Sequence, residues 1–299
     1  MIINILLECL TSDVFVHIFA NYCTYFELVD LLRAICPNFQ IDTHKLQHEN
    51  SVNACHEKNE ESKYMLKLNA FLEFAVLNNL LELVTYLIQL GADINAKNPS
   101  NITPLILAAS NGYINLVKYL VENGANLSSK NGDFMTPLIG AAMGDHLEVA
   151  VYLVECGCVD RNTRDDTSCT ALHWAAYEGF LSITQYLVEK GADKDSPDAN
   201  GFTALAWAAR CGHLDVVTYL VERGSDIDSR SSDSWTPLLA AALCGHLDIV
   251  IYLVEHGAER NARDSRRGYT ASMWAAERGH YSVVDYLDDM TQQVGCCSW

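Results

Sequence analysis

The 299-residue sequence has few basic residues and no long apolar segment. Lysine and arginine number 20 against 38 aspartates and glutamates, which gives a formal net charge of −18. Because nucleic acids and anionic membranes attract cationic surfaces, this shortage argues against both as partners. No apolar run reaches the length of about 18 residues that a membrane-spanning helix needs. The first residues lack a basic cluster and meet Glu8 early, so we do not expect a signal peptide.

The sequence also lacks the motifs of common catalytic and metal sites. It has no P-loop, no dinucleotide-binding glycine pattern, no zinc-protease helix motif and no nucleophile elbow. Its 11 cysteines are scattered, odd in number and without a C-x-x-C pair, which argues against a zinc site or a disulfide framework. We therefore expect a non-enzymatic protein without metal or cofactor. Reduced thiols predict the cytoplasm, that of the host for a pathogen's protein, with the nucleus as an alternative.

A threonine recurs every 33 or 34 residues along most of the chain. The six positions are Thr103, Thr136, Thr170, Thr203, Thr236 and Thr270. Similar text surrounds most of them, from Thr-Pro-Leu or Thr-Ala-Leu through Ala-Ala to Tyr-Leu-Val-Glu and Gly-Ala or Gly-Ser. This self-similarity predicts an array of equivalent structural repeats.

The spacing within one repeat predicts two short helices. The threonine caps the first helix, often with proline at its first position, and a glycine nine residues later ends it. The second helix carries apolar residues at helical spacing, for example Leu214, Val217 and Leu220. Since one repeat cannot bury its apolar faces alone, stability must come from stacking. Asp145 replaces the glycine of the third repeat, and we expect the preceding Gly144 to shift that turn.

This text resembles the ankyrin repeat, and Thr170-Ala-Leu-His173-Trp-Ala175 matches its signature best. Seven repeats, numbered 1 to 7 below, span 66–97, 98–130, 131–164, 165–197, 198–230, 231–263 and 264–290. Repeat 1 has Ala70 in place of the threonine and is expected to cap the array. The resemblance implies an all-α ankyrin solenoid over 66–290 whose concave face, lined by turn tips and first-helix ends, binds a protein. The tail, 291–299, contains Cys296 and Cys297, which suit either prenylation or a frayed end.

Positions that differ between repeats are candidates for partner binding, because the common positions serve stacking. They are the residue before each threonine and the end of the first helix. The candidate residues on the concave face are Met135, Met143, Tyr177, Phe202, Arg210, Trp235, Leu243, Tyr269 and Arg278. The apolar members form either an exposed row that binds a protein or a row of side chains that pack along the turns. Trp174, Trp207 and Trp274 are expected to be half-buried on the first helices.

Two further rows have a structural interpretation. A glutamate recurs on the second helices and predicts a solvated outer face; the row is Glu122, Glu155, Glu189, Glu222 and Glu255. A histidine recurs at the start of four second helices, at His146, His213, His246 and His280. Because stacked repeats lie about 10 Å apart, these histidines cannot share a metal ion, and we interpret them as turn residues.

Residues 1–37 do not share the repeat period and predict two short amphipathic helices, followed by a polar linker at 38–65. The text from Leu10 to Phe19, continued by Leu28 to Leu32, resembles an F-box, the helical motif that docks on the Skp-family adaptor of cullin–RING ubiquitin ligases. The resemblance implies adaptor-binding residues Leu10, Val14, Phe15, Ile18, Phe19, Leu28, Leu31 and Leu32. Thr11 stands where the motif has proline, and no tryptophan follows Cys36. The alternative is a plain helical cap on the array.

The expected function is therefore that of an adaptor. An F-box-type substrate receptor would link a target held by the ankyrin array to a ubiquitin ligase. A pure ankyrin scaffold with a helical N-terminal cap is the other interpretation.

Overall fold

The structure is a computed structural model that describes residues 68–157 and 159–295, with side chains as far as residue 289. The chain divides after Asn98 into two compact parts. Within the described residues there are fourteen helices, α1 to α14, and no strands. None of these helices is both long enough and apolar enough to cross a membrane.

The first part contains repeat 1, with α1 at 68–77 and α2 at Leu81–Gln89. Leu72, Val84 and Leu87 are completely buried. The turn between the helices places Asn79 in the left-handed region, with φ 54°, where the later repeats have mostly glycine. The loop after α2 is held by the Asp93 amide, which donates to Oδ1 of Asn69 at 3.0 Å.

The second part contains six helix pairs, one for each of repeats 2 to 7. In chain order they are α3 (Pro104–Ser110), α4 (Ile114–Glu122), α5 (Pro137–Met143), α6 (Leu147–Glu155), α7 (Ala171–Glu178), α8 (Leu181–Glu189), α9 (Ala204–Cys211), α10 (Leu214–Glu222), α11 (Pro237–Cys244), α12 (Leu247–Glu255), α13 (Ala271–Arg278) and α14 (Tyr281–Gly295). The all-helical fold predicted from the sequence is confirmed for the described residues, whose fourteen helices form seven pairs. The last helix continues to Gly295, beyond the predicted end of the array at 290.

The threonines cap the first helices as predicted. In five of the six repeats the hydroxyl oxygen accepts the amide of the third helical residue, as Thr203 does from Ala206 at 3.4 Å. In repeat 4 the cap is supplemented by His173, whose Nδ1 accepts the Thr170 amide at 3.2 Å. The paired alanines that follow, such as Ala208 and Ala209, are completely buried. These small side chains let neighbouring first helices pack together more extensively than the second helices do.

The expected shift of the turn in repeat 3 is wrong. α5 ends at Met143, Gly144 has φ −102°, and Asp145 itself adopts the left-handed conformation with φ 56°. Aspartate tolerates this region better than most residues because its short side chain bonds locally. The chain therefore reverses at the same repeat position as at Gly112 and Gly179, which also have positive φ.

Backbone hydrogen bonds join the turns before the threonines of successive repeats. Five amides each donate to a carbonyl of the preceding turn at 2.8–3.1 Å; the pairs are Gly132 to Ser100, Asp166 to Asp133, Ala199 to Thr167, Ser232 to Asn200 and Ser265 to Asp233. One such bond crosses every boundary from repeat 2 to repeat 7. The turns are therefore held in a fixed register along the array.

The recurring histidines also cross repeat boundaries. In all four, the ring Nε2 lies within 3.1 Å of a backbone carbonyl oxygen at the end of the first helix of the preceding repeat. The pairs are His146 to Ser110, His213 to Tyr177, His246 to Arg210 and His280 to Leu243. A carbonyl only accepts, so Nε2 carries the proton and donates. In repeat 4 the position is occupied by Phe180, which has no donor. The histidines thus have the structural role that their repetition predicts.

Repeat 7, the last repeat of the described residues, differs from the others on its first helix. Ser272 stands where the other five threonine-led repeats have a buried leucine, and its hydroxyl donates to Asp288 at 2.9 Å. Met273 is 46% exposed, although its counterparts such as Ala206 and Leu239 are buried. A polar outer face of this kind is what a terminal repeat needs for solubility.

The histidine contacts predict a specific intolerance of Gly212. A Cβ added there would lie 2.7 Å from Cε1 of His246, whereas at Gly191, with almost the same φ, nothing lies within 4 Å of the added atom. Both alanine variants carry the left-handed penalty of about 1–2 kcal/mol. We expect Gly212→Ala to lose a further 1–3 kcal/mol, roughly, through overpacking. Urea denaturation of the two variants measures the difference, and equal losses would show that His246 is free to move away.

Candidate functional site

The variable positions predicted from the sequence lie on one surface, here called the inner-helix face. It consists of the turns before the threonines and the exposed sides of α5, α7, α9, α11 and α13, in repeats 3 to 7. The second helices and the loops after them form the other side of each repeat. Tyr177, Arg210 and Arg278 are exposed on the inner-helix face, and the other six candidate residues are half-buried there.

A first aromatic cluster spans repeats 4 and 5. The ring of Trp207 lies 5.6 Å from that of Phe202 in the same repeat and 5.5 Å from that of Tyr177 in the preceding one. Tyr177 also makes an edge contact with Trp174 at 6.0 Å. The guanidinium carbon of Arg210 lies 5.2 Å from the centre of the Trp207 ring, a cation–π geometry. The cluster therefore presents aromatic surface with a cation at its edge.

A second aromatic cluster spans repeats 6 and 7. Trp274 lies 5.1 Å from Trp235 and 5.2 Å from Tyr269. The Arg267 guanidinium lies 5.1 Å from the Trp274 ring and also forms a two-pronged ion pair with Glu277 at 2.7 and 2.8 Å. Repeat 6 has Ala240 where its neighbours have tryptophan, which separates the two clusters.

A buried aspartate orients the tryptophan in two of these repeats. Oδ2 of Asp165 accepts the indole proton of Trp174 at 2.8 Å, and Oδ2 of Asp198 accepts that of Trp207 at 3.1 Å. The other carboxylate oxygen of Asp198 accepts the amides of Asn200 and Phe202, which closes the turn. The aspartate therefore links the turn to the ring. The sequence analysis missed this link, although an aspartate nine residues before a tryptophan recurs in both repeats.

Several residues before the threonines pack along the turns, which is one of the two arrangements that the sequence left open. Cys169 is buried, and Phe202, Trp235 and Tyr269 are half-buried because their rings contact tryptophans. Trp174 and Trp207 are half-buried as expected, but Trp274 is only 8% exposed. Packing along the turns and an accessible aromatic surface thus coexist in the same residues.

Phe134, in the turn before Thr136, is the most exposed aromatic side chain of the described residues after Tyr281 of α14. The sequence did not single it out. It is 54% exposed and lies in the left-handed region, with φ 59°. The equivalent positions are occupied by small or polar residues that suit the turn; they are Asn101, Ser168, Gly201, Ser234 and Gly268. Lys130 lies 5.7 Å from its ring. Comparison of the repeats at this position would have found it.

Burial perturbs several titratable groups near this face. Burial raises the pKa of the Cys169 thiol to about 11, so this cysteine is protonated and unreactive at neutral pH. Burial lowers the pKa of His173, which keeps the ring neutral. Burial of Asp264 would raise its pKa, but the amides of Arg267, Tyr269 and Arg266 donate to it and hold the pKa below its usual value. All three pKa shifts arise from burial and hydrogen bonding at the turns, which is a structural role for these groups.

A cleft in the part of the chain that the structure describes has a volume of about 380 Å³ and is lined by residues of repeats 2 and 3, without cysteine or histidine. No group of three or more potential metal ligands comes together among the described residues. Cys211 and Cys244, at equivalent positions of adjacent repeats, are free thiols.

The predicted outer row is confirmed as exposed. All five glutamates from Glu122 to Glu255 lie at the solvent side of the second helices. Two of them also bridge to the next repeat, Glu155 to Lys190 at 3.6 Å and Glu189 to Arg223 at 3.2 Å. Such exposed pairs contribute at most about 1 kcal/mol each.

Stacked helix pairs in fixed register, with turns projecting from one side, define a helical repeat protein. Three copies of a family model described as ankyrin repeats match residues 72–165, 158–231 and 223–294. The chain therefore belongs to the ankyrin-repeat family, whose members are in general non-enzymatic scaffolds for protein–protein interaction. A comparison with curated proteins finds no match. The family comparison finds no F-box, and the eight residues predicted to bind the adaptor lie outside the described residues.

The half-buried aromatic residues predict a measurable loss of stability. Changing Phe202, Trp235 and Tyr269 together to serine removes three ring contacts, each contributing about 0.5–1.5 kcal/mol beyond the apolar area that it buries. We expect a clearly lower urea midpoint with helical circular dichroism retained. Phe134→Ser is the control, because serine occupies this turn position in two other repeats, and its midpoint should stay within the error. An unchanged midpoint in the triple variant would contradict the packing contacts.

Proposed function

We propose that this protein is a non-enzymatic adaptor that holds a protein partner on its inner-helix face and acts in the cytoplasm. The observation that carries the proposal is the pair of aromatic clusters, which present tryptophan, tyrosine and arginine on one side of an otherwise acidic array. These three residue types dominate the binding energy of protein interfaces. The rings are oriented in advance by buried aspartates and by one another, so little side-chain freedom is lost on binding.

We further propose that the N-terminal segment docks on a Skp-family adaptor, which makes the protein a substrate receptor of a cullin–RING ubiquitin ligase. The support is the sequence pattern alone, with apolar residues from Leu10 to Phe19 and from Leu28 to Leu32 at helical spacing. A repeat domain that follows such a segment would present the target to the ligase. The departures at Thr11 and after Cys36 favour the alternative, a pure ankyrin scaffold.

Partner binding is tested by affinity capture with the full chain. The triple serine variant at Phe202, Trp235 and Tyr269 should lose the captured protein at a temperature where it is still folded. A triple glutamine variant of the outer glutamates Glu122, Glu222 and Glu255 is the matched control and should retain the same protein. Retention by the serine variant, or loss by both, would overturn the assignment of the inner-helix face.

The ubiquitin link is tested with purified Skp-family adaptor in a size-exclusion or biolayer binding assay. The wild-type chain should bind, and Phe15→Glu combined with Leu32→Glu should abolish binding while the array partner is still captured. The triple serine variant should show the reverse pattern. A wild-type chain that captures its array partner but does not bind the adaptor is a scaffold without the ligase connection.

A further inference from the structure

Charge is segregated between the two sides of repeats 5 to 7. The second helices α10, α12 and α14 carry aspartates and glutamates but neither lysine nor arginine. The first helices carry only three charged residues, Arg210, Glu277 and Arg278. Because Glu277 is held by Arg267, the charges that remain there are the two guanidinium groups of Arg210 and Arg278.

Neither of these arginines has a carboxylate partner among the described residues. Arg210 lies over the Trp207 ring. The side chains of Arg210 and Arg278 are both exposed. The arginines of the neighbouring turn are different, because Arg266 pairs with Asp233 at 2.6 Å and Arg267 with Glu277. Each arginine lies in the last helical turn, where the helix dipole favours a positive charge. Because neither forms an ion pair with a described carboxylate, their hydrogen-bond donors are open to a ligand.

The repeat geometry sets the distance between the two cations. Neighbouring packed helices lie about 10 Å apart, so the axes of α9 and α13, two repeats apart, are about 20 Å apart. An extended chain covers this distance in about six residues. Leu243 occupies the position equivalent to Arg210 in repeat 6 and is half-buried; in repeat 7 that position is Glu277, and Arg278 follows it by one residue. The surface therefore carries a cation in repeat 5, an apolar side chain in repeat 6 and, one helical position further on, a second cation in repeat 7.

We propose that this face takes an extended acidic segment of the partner, with two carboxylates on Arg210 and Arg278 and an apolar side chain between them on Leu243. The inference rests on the proposed partner binding and names its chemistry. Tyr177, 41% exposed, extends the surface by one repeat and takes a further apolar residue. A third carboxylate is disfavoured there, because Glu178 is exposed beside it.

The net charge of −18 does not prevent this binding. Most of the acidic groups among the described residues lie on the second helices and the loops after them, on the other side of the helix pair. At physiological ionic strength the Debye length is about 8 Å, less than the diameter of one helix with its side chains. A bound carboxylate therefore interacts chiefly with the arginine that it contacts.

The test is a fluorescence-polarisation titration of the full chain with a labelled peptide of pattern Leu-x-x-Glu-x-x-Leu-x-x-Glu, in which x is serine or glycine. We expect saturable binding that weakens as salt is raised, and at least tenfold weaker binding of the peptide with both glutamates changed to glutamine. Arg210→Gln and Arg278→Gln should each weaken binding about fivefold, the size of an exposed ion pair. Arg223→Gln is the matched control, since Arg223 lies over the Tyr219 ring on the outer helix, and should leave binding unchanged.

Absence of binding, equal binding of the glutamine peptide, or an equal loss in Arg223→Gln would overturn the inference. These outcomes are separable from failure of the proposed function. A protein partner that the Phe202, Trp235 and Tyr269 serine variant loses, but that Arg210→Gln and Arg278→Gln retain fully, would leave the inner-helix face as the binding surface and remove only its preference for acidic segments.

Discussion

The close packing of first helices is the interaction on which the rest of this structure depends. It is possible because the paired alanines of the first helices place only methyl groups between neighbouring backbones, and in repeats 2 to 6 both alanines of the pair are completely buried. A larger residue there would separate the helices and with them the turns. The backbone bonds between turns, the histidine contacts and the aromatic clusters all require this spacing. The arrangement of side chains on the inner-helix face is thus a consequence of small residues beneath it.

The two sides of the array differ in their side chains and in what these do. The second helices keep it soluble through a row of exposed glutamates, some of which pair with the next repeat. The inner-helix face carries aromatic and arginine side chains that are only partly covered. The aromatic rings contact one another, and hydrogen bonds to Asp165 and Asp198 fix the orientation of two of the tryptophans. The rings therefore stay partly accessible in fixed positions. The same contacts therefore stabilise the turns and prepare the surface for a partner.

The sequence predicted the helices and their order because each boundary has a local chemical signal, such as Thr203 at the start of α9 and Gly212 at its end. It predicted the exposed glutamates because helical spacing alone determines the face of a residue. It did not predict the bond from Asp198 to Trp207, because the turn between them decides whether the two side chains meet. It left open whether Trp235 is exposed or packed along the turns, because its partner Trp274 belongs to the next repeat. Contacts between repeats follow from the stacking geometry, which no single repeat contains.

The phenylalanine at position 180 has a consequence for the cooperativity of the array. Histidines join repeat 3 to repeat 2 and join repeats 5, 6 and 7 each to its predecessor, but the boundary between repeats 3 and 4 has no such bond. In a linear array the coupling between neighbours decides how far an opening spreads. An opening that stops at this boundary would separate repeats 2 and 3 from repeats 4 to 7. Both aromatic clusters lie in repeats 4 to 7, so their contacts would persist while repeats 2 and 3 open.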